Sequence, residues 1–419
     1  MNLEIQFEKI EVYFKQKNFS KAEKELSAML SQNPREALIF IYFAQLYNLK
    51  KEYPKGHVAI DNALAISPND PYAFNIKSIL YYNQQKYSEA EKYIKKAIEL
   101  VPEFASYHGH LAEIKIQRKQ FNDALEIANL ALSIDPEDTL ALNARSQALV
   151  KLNRNPEAFK TIEGALRNDP NDPYTHANYG WGLLEAGDYK KAQMHFKEAL
   201  TQDPNFEYAK EGLSESLKAT YFIYRIFLKY SFFISNQTAK FQWMYFLGFF
   251  LLVRSLKTIA KLNENLQFFI YPILVVLGIF AFSTWLIPPI ANLILRLHPL
   301  GLHLLNPKEK WSANFVAVSL FLFFSGILLC LFFQEYHFAS LSIIGFCLIA
   351  PLGNMFQSTK YPKVLPIYAC ILLILGMSAI SLSLVERELF NVFTMVFVFL
   401  FIGFTWLYNF LVIGQNEGS

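Results

Sequence analysis

Small and large apolar residues recur in fixed columns along the first half of the chain. Successive members of a column, such as Ala22 and Gly56, are 34 residues apart. The small-residue columns are Ala22, Gly56, Ala90, Ala124, Ala158 and Ala192; Ala44, Ser78, Ala112, Ser146 and Gly180; and Ala63, Ala97, Ala131, Ala165 and Ala199, with Met29 in the first unit. The large apolar column is Leu26, Ile60, Ile94, Ile162 and Phe196, with Ala128 in the fourth unit. Small side chains at fixed positions let two helices approach closely, so the pattern predicts about six repeated helical hairpins.

Prolines mark the boundaries between these hairpins. They stand at Pro34, Pro68, Pro102, Pro136, Pro170 and Pro204, again at the same constant interval. A proline cannot continue a helix and disfavours helix in the residue before it. We therefore expect units that begin at Leu3, Ala37, Pro71, Ala105, Thr139 and Pro173.

The second half has a different pattern, in which apolar residues form long uninterrupted runs. The runs cover 241–256, 268–287, 313–333, 338–356, 364–385 and 389–413. A membrane-spanning helix needs about 20 apolar residues, so a polytopic bundle of about six helices is predicted over 241–413. The first run is the weakest, because it spans only if Arg254 and Lys257 reach the interface. Pro288 and Pro289 are expected to end the second membrane helix and turn the chain along the membrane surface.

Charge separates the two halves. The chain has 39 Lys and Arg against 36 Asp and Glu, a net charge of +3, and most of these residues lie before Thr220. A second half so poor in charge cannot cover itself with polar surface in water. The small net charge, without a clustered basic face, gives no reason to expect a nucleic-acid partner.

The repeat columns resemble the tetratricopeptide repeat (TPR) family over about 3–206. The resemblance implies an all-α protein, in which a TPR-type α-solenoid precedes the membrane bundle. Glu207 to Ala219 is expected to form a capping helix, so the repeat domain is assigned to 3–219. The family implies binding of a peptide or protein in a groove lined by the first helix of each hairpin, and no catalytic group.

Polar side chains at inner positions of the predicted first helices are the candidate groove residues. They are Gln45, Asn48, Asn75, Tyr82, Glu113, Asn143, Gln147 and Trp181. Amides offer both donors and acceptors to an extended peptide backbone. Some family members grip a C-terminal carboxylate with lysines, but the corresponding positions here hold Phe7, Ile41, Asn75, Gly109 and Asn143, so a carboxylate clamp is not supported.

Residues 220–240 join the two domains. Tyr221 to Ile234 is rich in aromatic residues and contains Arg225 and Lys229. One interpretation is an amphipathic helix at the membrane surface, with rings in the acyl boundary and cations among the headgroups. The other is a continuation of the repeat array.

Basic residues predict the orientation of the bundle. With six spans and a cytoplasmic repeat domain, the inner segments hold Arg225, Lys229, Lys240, Arg296, Lys308, Lys310, Lys360 and Lys363. The outer segments hold Arg254, Lys257, Lys261 and Arg387. Cytoplasmic loops carry the excess of Lys and Arg, and the first residues do not resemble a signal peptide. A multi-pass membrane protein with cytoplasmic repeats is therefore expected, with a weaker bias if the first run does not span.

A polar segment between the second and third runs is the candidate site of the membrane half. It contains Arg296, His298, His303, Lys308 and Lys310. Such residues bind anionic lipid headgroups or dock on the acidic surface of the repeats. The ordinary alternative is a juxtamembrane loop that obeys the positive-inside rule.

Motifs for chemistry are missing from the sequence. It has no zinc, nucleophile-elbow or phosphate-loop motif, and Cys330, Cys347 and Cys370 lie in separate apolar runs. We expect no enzyme activity, no metal and no cofactor. The predicted function is a membrane-anchored scaffold whose TPR repeats recruit a peptide or protein partner to a membrane complex. The alternative is a small transporter or lipid-handling membrane enzyme with a TPR regulatory domain. The lipid bilayer is the other expected partner, and contact with other membrane subunits or with a second copy of the chain is left open.

Overall fold

The computed structural model describes residues 3–357 and 361–413, where the regular elements are all helices. The described residues fall into two units that divide after Gly182. The helices of the first half are α1 Leu3–Lys15, α2 Phe19–Gln32, α3 Ala37–Leu49, α4 Tyr53–Ile66, α5 Pro71–Asn83, α6 Tyr87–Leu100, α7 Ala105–Gln117, α8 Phe121–Ile134, α9 Thr139–Lys151, α10 Asn155–Asn168, α11 Pro173–Ala186, α12 Tyr189–Gln202 and α13 Glu207–Lys218. The first helix of each hairpin begins at the residue that the repeat pattern predicts.

The small-residue columns form the contacts between the helices. Their alanines are fully buried within the hairpins, and the two serine members bond the neighbouring column directly. The Ser78 hydroxyl donates to the Ala90 carbonyl at 2.8 Å, and the Ser146 hydroxyl donates to the Ala158 carbonyl at 3.0 Å. A serine there satisfies its own hydroxyl while keeping the helices close.

The turn inside each hairpin contains one residue in the left-handed conformation. These residues are Lys17, Lys51, Gln85, Lys119, Asn153 and Gly187, with φ between 55° and 96°. In the second hairpin the Glu52 N–H donates to the Tyr47 carbonyl at 2.8 Å, which closes the end of α3. Only the last turn has a glycine, so the others are left-handed despite the cost of a side chain there.

An ion cluster ties the third hairpin to the fourth. The Glu91 carboxylate on α6 lies 2.7 Å from Lys95 and 3.0 Å from Lys115, and it also accepts a hydrogen bond from Arg118. Burial by itself raises the pKa of Glu91, but hydrogen bonds from Lys95 and Lys115 and their charges outweigh burial and lower the pKa to about 2. The cluster therefore favours the stacked arrangement of the two hairpins at neutral pH.

Glu91→Gln is expected to lower the free energy of unfolding by about 2 kcal/mol at pH 7, because it leaves three cations without their shared carboxylate. The folded pKa lies below the ordinary value of 4.5, so the stabilisation is present above about pH 4.5 and is lost as the pH falls towards 2. Denaturant unfolding followed by circular dichroism from pH 3 to pH 7 measures this difference. Glu157→Gln is the control, since the ion pair of Glu157 with Arg154 is exposed to solvent. An equal effect of both substitutions, or one that does not shrink at low pH, contradicts the assignment.

In the second unit, α12 and α13 pack through a ring against a glycine. Phe196 on α12 is fully buried. A Cβ added to Gly212 on α13 would overlap the Phe196 ring, so the ring occupies the space that any other residue would need. The helix α14 follows at Phe222–Ser235. The Tyr224 hydroxyl of α14 donates to Glu215 of α13 at 2.5 Å.

Among the residues that the structure describes, six helices are long and apolar enough to cross a membrane. The remaining elements are α15 Ala239–Leu262, α16 Glu264–Leu297, α17 Gly301–Leu304, α18 Pro307–Phe333, the 3₁₀ turn Tyr336–Phe338, α19 Ala339–Asn354, α20 Val364–Glu386, α21 Val392–Tyr408 and the π-helix Asn409–Ile413. Lys360, counted above among the inner basic residues, lies outside the described residues.

The helices α18 and α19 approach each other at two glycines. A Cβ on Gly345 would lie 2.7 Å from the backbone nitrogen of Phe323 and 2.8 Å from the carbonyl oxygen of Ser319. Gly326 lies equally close to α19, since its Cβ would stand 2.6 Å from the backbone nitrogen of Ser342. Close helix packing through small residues is a main source of stability between membrane helices.

The expectation that Pro288 and Pro289 end the second membrane helix is wrong, because α16 continues to Leu297. Pro289 has no N–H to give to the Trp285 carbonyl, but the Asn354 amide donates to that carbonyl at 3.0 Å. The Pro289 ring packs against Gly353, and a Cβ on Gly353 would overlap the ring. A neighbouring helix thus supplies both the donor and the space that the proline needs.

Candidate functional site

The first helices of successive hairpins are joined by side-chain contacts, which we call the polar ladder. Its members are Glu11, Tyr42, Gln45, Asn48, Tyr72, Tyr82, Asn83, His110, Glu113, Asn143, Tyr174, Thr175 and Asn178. They come from α1, α3, α5, α7, α9 and α11, so every first helix contributes polar side chains to these contacts.

At its start the ladder contains a carboxylate, phenols and amides. The Tyr42 hydroxyl donates to Glu11 at 2.8 Å, and the Gln45 amide donates to the Tyr72 hydroxyl at 2.5 Å. Burial raises the pKa of the Tyr42 phenol, and the hydrogen bond to Glu11 raises it further. Burial also raises the pKa of Tyr72. Both phenols therefore stay protonated at neutral pH and keep these bonds.

The next rungs link α3 to α5 and α5 to α7. The Asn83 amide donates to the Asn48 amide oxygen at 3.0 Å. The Tyr82 ring meets the His110 ring edge-on, with 5.5 Å between centroids. His110 is buried, with its Nε2 at 3.1 Å from the Ser78 hydroxyl and its Nδ1 at 3.8 Å from Glu113.

Glu113 reaches across two repeats. It accepts a hydrogen bond of 2.7 Å from the hydroxyl of Tyr174, which lies on α11 beyond the intervening helix α9. This reach depends on a close approach of α7 to α9 at Gly109. A Cβ there would stand 3.0 Å from the backbone nitrogen of Ala141. The glycine at this position, where a clamp would have a lysine, thus lets α7 and α9 approach closely.

Asn143 is a structural member of the ladder. Its side chain is fully buried. Its amide donates to the Thr139 carbonyl at 2.9 Å and to the Thr175 hydroxyl at 2.8 Å, and its oxygen accepts from Asn178 at 2.8 Å. Asn143 is therefore enclosed, and its side chain joins α9 to α11.

The other candidates differ in exposure. Glu113 is buried apart from 8% of its surface, whereas the remaining six are partly exposed: Gln45, Asn48, Asn75, Tyr82, Gln147 and Trp181. Gln45 and Asn48 are each bonded to the next first helix. Gln147 lies one turn beyond Asn143 on α9.

Sequence reasoning missed eight members of the ladder: Glu11, Tyr42, Tyr72, Asn83, His110, Tyr174, Thr175 and Asn178. Tyr72 and Tyr174 share one repeat column, each directly after the Asp-Pro pair that begins its helix. That recurrence is the signal from which they could have been found. Asn178 differs, because its bond to Asn143 follows from how α9 and α11 stack and no spacing in the sequence shows it.

The basic segment of the membrane half lies at the end of α16, in α17 and at the start of α18. His303 and Lys308 are exposed, whereas Arg296, His298 and Lys310 are partly exposed. The Gly301 N–H donates to His298 Nδ1 at 3.4 Å. Within residues 3–357 and 361–413, none of Arg296, Lys308 and Lys310 forms an ion pair.

The basic segment lies beside α13, which belongs to the same unit. His298 lines a small cavity together with Leu217 and Lys218 of α13. Burial raises the pKa of Glu211 on α13, and the nearby charges of Glu207, Glu215 and Glu309 raise it further. Glu309 belongs to the start of α18, so its charge repels that of Glu211.

The described residues also contain no group of three or more His, Cys, Asp and Glu side chains that could hold a metal ion.

Within the membrane half, three polar side chains near the end of α19 bond one another. The Gln357 amide donates to Asn354 at 3.0 Å, and the Tyr408 hydroxyl donates to Gln357.

Comparisons with known proteins concern the first half of the chain. No curated protein matches the sequence. A tetratricopeptide repeat protein from Parabacteroides merdae is similar in structure, with 21% identity, coverage of 50% of this chain and 81% of that one, and a TM-score of 0.44. PilF of Pseudomonas aeruginosa has 17% identity, covers 51% and 96%, and has a TM-score of 0.39. YrrB, described as a TPR protein with an unusual peptide-binding site, has 20% identity, covers 44% and 96%, and has a TM-score of 0.30.

Two family models match the sequence directly. Both are models of the tetratricopeptide repeat, and they match residues 81–147 and 143–207. Tetratricopeptide repeats indicate a protein–protein interaction scaffold, and the six apolar helices that follow are compatible with membrane anchoring. The N-terminal half of this chain therefore contains tetratricopeptide repeats, and they fold as a helical solenoid.

Proposed function

We propose that this protein is a membrane-anchored scaffold, whose repeats recruit a peptide or a protein partner to a membrane complex. The polar ladder carries the proposal. We take its amide, phenol and carboxylate groups, which come from six successive first helices, as one binding face of the repeats. A stacked solenoid presents such a face as an extended binding surface, and amides and phenols bond the backbone of an extended peptide through both donors and acceptors.

The helix α14 supports attachment at the membrane surface. Tyr224 and Leu228 are buried, whereas Phe222, Ile223 and Ile226 are 69%, 71% and 56% exposed. A helix with one face packed on its own domain and an aromatic face exposed suits the acyl boundary of a bilayer. This placement would hold the last repeat helices next to the membrane.

Two cations lie between these faces of α14. The guanidinium of Arg225 stacks on the Tyr189 ring at 4.9 Å, and Lys229 follows one turn later. Together with Arg296, Lys308 and Lys310 they place positive charge on segments assigned to the cytoplasmic side. This supports cytoplasmic repeats and contact with anionic headgroups.

The function is tested by crosslinking and recovery from membranes, using the full chain. We expect the triple variant Gln45→Ala, Gln147→Ala, Trp181→Ala to recover at least about tenfold less of a soluble partner. Removal of a few central interface side chains commonly costs more than about 1.4 kcal/mol of binding free energy, which is a factor of ten in affinity. Asn143 is left intact, since its removal would disturb the packing of α9 on α11. The variant should stay in the membrane fraction.

The matched control is Lys24→Ala, Glu126→Ala, Lys160→Ala, three exposed changes on second helices. Recovery of the same partner by wild type and by this control supports the groove. If the groove variant recovers as much partner as wild type, the repeats do not recruit through the groove residues Gln45, Gln147 and Trp181. Recovery of membrane proteins or lipids alone would favour a transporter or lipid-handling role for the bundle.

A further inference from the structure

We infer that the groove takes an extended segment rich in Lys or Arg, and that Glu113, Asn178 and Trp181 form its recognition patch. The inference rests on the proposed function and adds the chemistry of the partner. Tyr174, Asn178 and Trp181 follow one another at spacings of four and three residues on α11, so they share a helix face. The Tyr174 hydroxyl bonds Glu113, which fixes that carboxylate beside this face.

Asn178 contributes an acceptor without a partner. The side chain is buried, with a relative exposure of 5%. Its amide nitrogen donates to Asn143, but its amide oxygen is buried and has no hydrogen-bond partner in the described ranges 3–357 and 361–413. A buried acceptor that has lost water without gaining a partner is unfavourable. Because this oxygen is enclosed, a ligand N–H bonds it only after the side chain turns towards the groove, and that bond then removes the cost.

Glu113 contributes a negative charge with capacity to spare. One carboxylate oxygen accepts the Tyr174 hydroxyl at 2.7 Å, and the other lies 3.8 Å from His110 Nδ1. An ionised carboxylate accepts about four hydrogen bonds. The side chain is 10% exposed, so a cation that reaches it is screened less by water than at an open surface.

The charged residues of the whole ladder also favour a cationic partner. Two of its members, Glu11 and Glu113, are carboxylates, and no member is a lysine or an arginine. Trp181 adds an indole ring, the best aromatic partner for an ammonium or guanidinium group. An acidic segment would meet repulsion here, whereas Lys and Arg bring the donors and the charge that the patch lacks.

The repeat supplies a matched pair of substitutions. Glu113 and Gln147 occupy the same column in successive repeats, and Gln147 is partly exposed one turn beyond Asn143. Glu113→Gln removes a carboxylate from the face, and Gln147→Glu adds one with almost no change of shape. Glu126→Gln removes a carboxylate from an exposed position on α8 and is the control.

The test selects a phage-displayed library of random nonapeptides on the full-length protein in nanodiscs. Enriched peptides are expected to carry an excess of Lys and Arg. The best of them should lose about tenfold affinity on Glu113→Gln, gain about fivefold on Gln147→Glu and be unchanged on Glu126→Gln. Melting curves establish that every variant is folded.

The outcomes separate the two proposals. Enriched peptides that are neutral or acidic, or whose affinity ignores both charge changes, overturn the preference for a cationic segment. If such peptides still lose binding in the Gln45, Gln147 and Trp181 triple variant, the scaffold function stands. No enrichment above empty nanodiscs counts against both.

Discussion

Gly345→Leu is expected to lower the stability of the membrane bundle by about 3 kcal/mol, near the upper end for overpacking a well-filled core. A side chain at this position would meet the backbone nitrogen of Phe323 at 2.7 Å and the carbonyl oxygen of Ser319 at 2.8 Å. Backbone atoms cannot move aside as a flexible side chain can. The helices α18 and α19 would have to separate, with loss of the reciprocal contact at Gly326.

Thermal unfolding in detergent, followed by size-exclusion chromatography, measures the change in midpoint. Gly278→Leu is the matched control, because a Cβ at Gly278 on α16 would have no neighbour within 4 Å. A clear drop for Gly345→Leu and no drop for Gly278→Leu supports the tight crossing. Equal midpoints for the two variants would show that the crossing of α18 and α19 is looser than described.

Phe196→Ala is expected to have the largest effect in the repeat half, about 4 kcal/mol for loss of a fully buried ring. The ring is enclosed between α12 and α13, where Gly212 leaves it room. The glycine has no side chain that could move in to fill the space. The local opening of this helix pair should therefore become far more frequent, because α13 is held to α12 through this contact.

Hydrogen exchange of the α12 and α13 amides measures the opening. Exchange should become several hundredfold faster, since a change of about 1.4 kcal/mol is a factor of ten in the opening equilibrium. Met194→Ala on the same helix is the control, because Met194 is 67% exposed. Unchanged exchange in Phe196→Ala, or the same acceleration in both variants, would contradict a structural role for the ring.

The repeat architecture could be predicted from the sequence because it depends on local, periodic chemistry. The columns that contain Ala22 and Ala44 are buried as expected, since only small side chains permit close helix pairs. The six apolar helices were also predictable, since about 20 apolar residues suffice to identify a span. The exact turns were not, because five of the six left-handed residues lack the glycine that signals that conformation.

The candidate site could be predicted only in part. The prediction that Gln45 and Glu113 lie on the inner face rests on the repeat register alone. The burial of Asn143 and the unpaired oxygen of Asn178 depend on how closely α9 and α11 stack. The stacking distance is set by many side chains at once, so inspection of one column does not reveal it.

The sequence by itself therefore determined the number of hairpins, their starting residues and the existence of the apolar helices, because these follow from repeat spacing and apolar run length. Only the tertiary structure decided that α16 passes through Pro289. It also decided that Glu113 meets a tyrosine two repeats away. Both depend on a donor supplied by another helix, Asn354 in one case and Tyr174 in the other. Such partners are far apart in the chain, and packing alone brings them together.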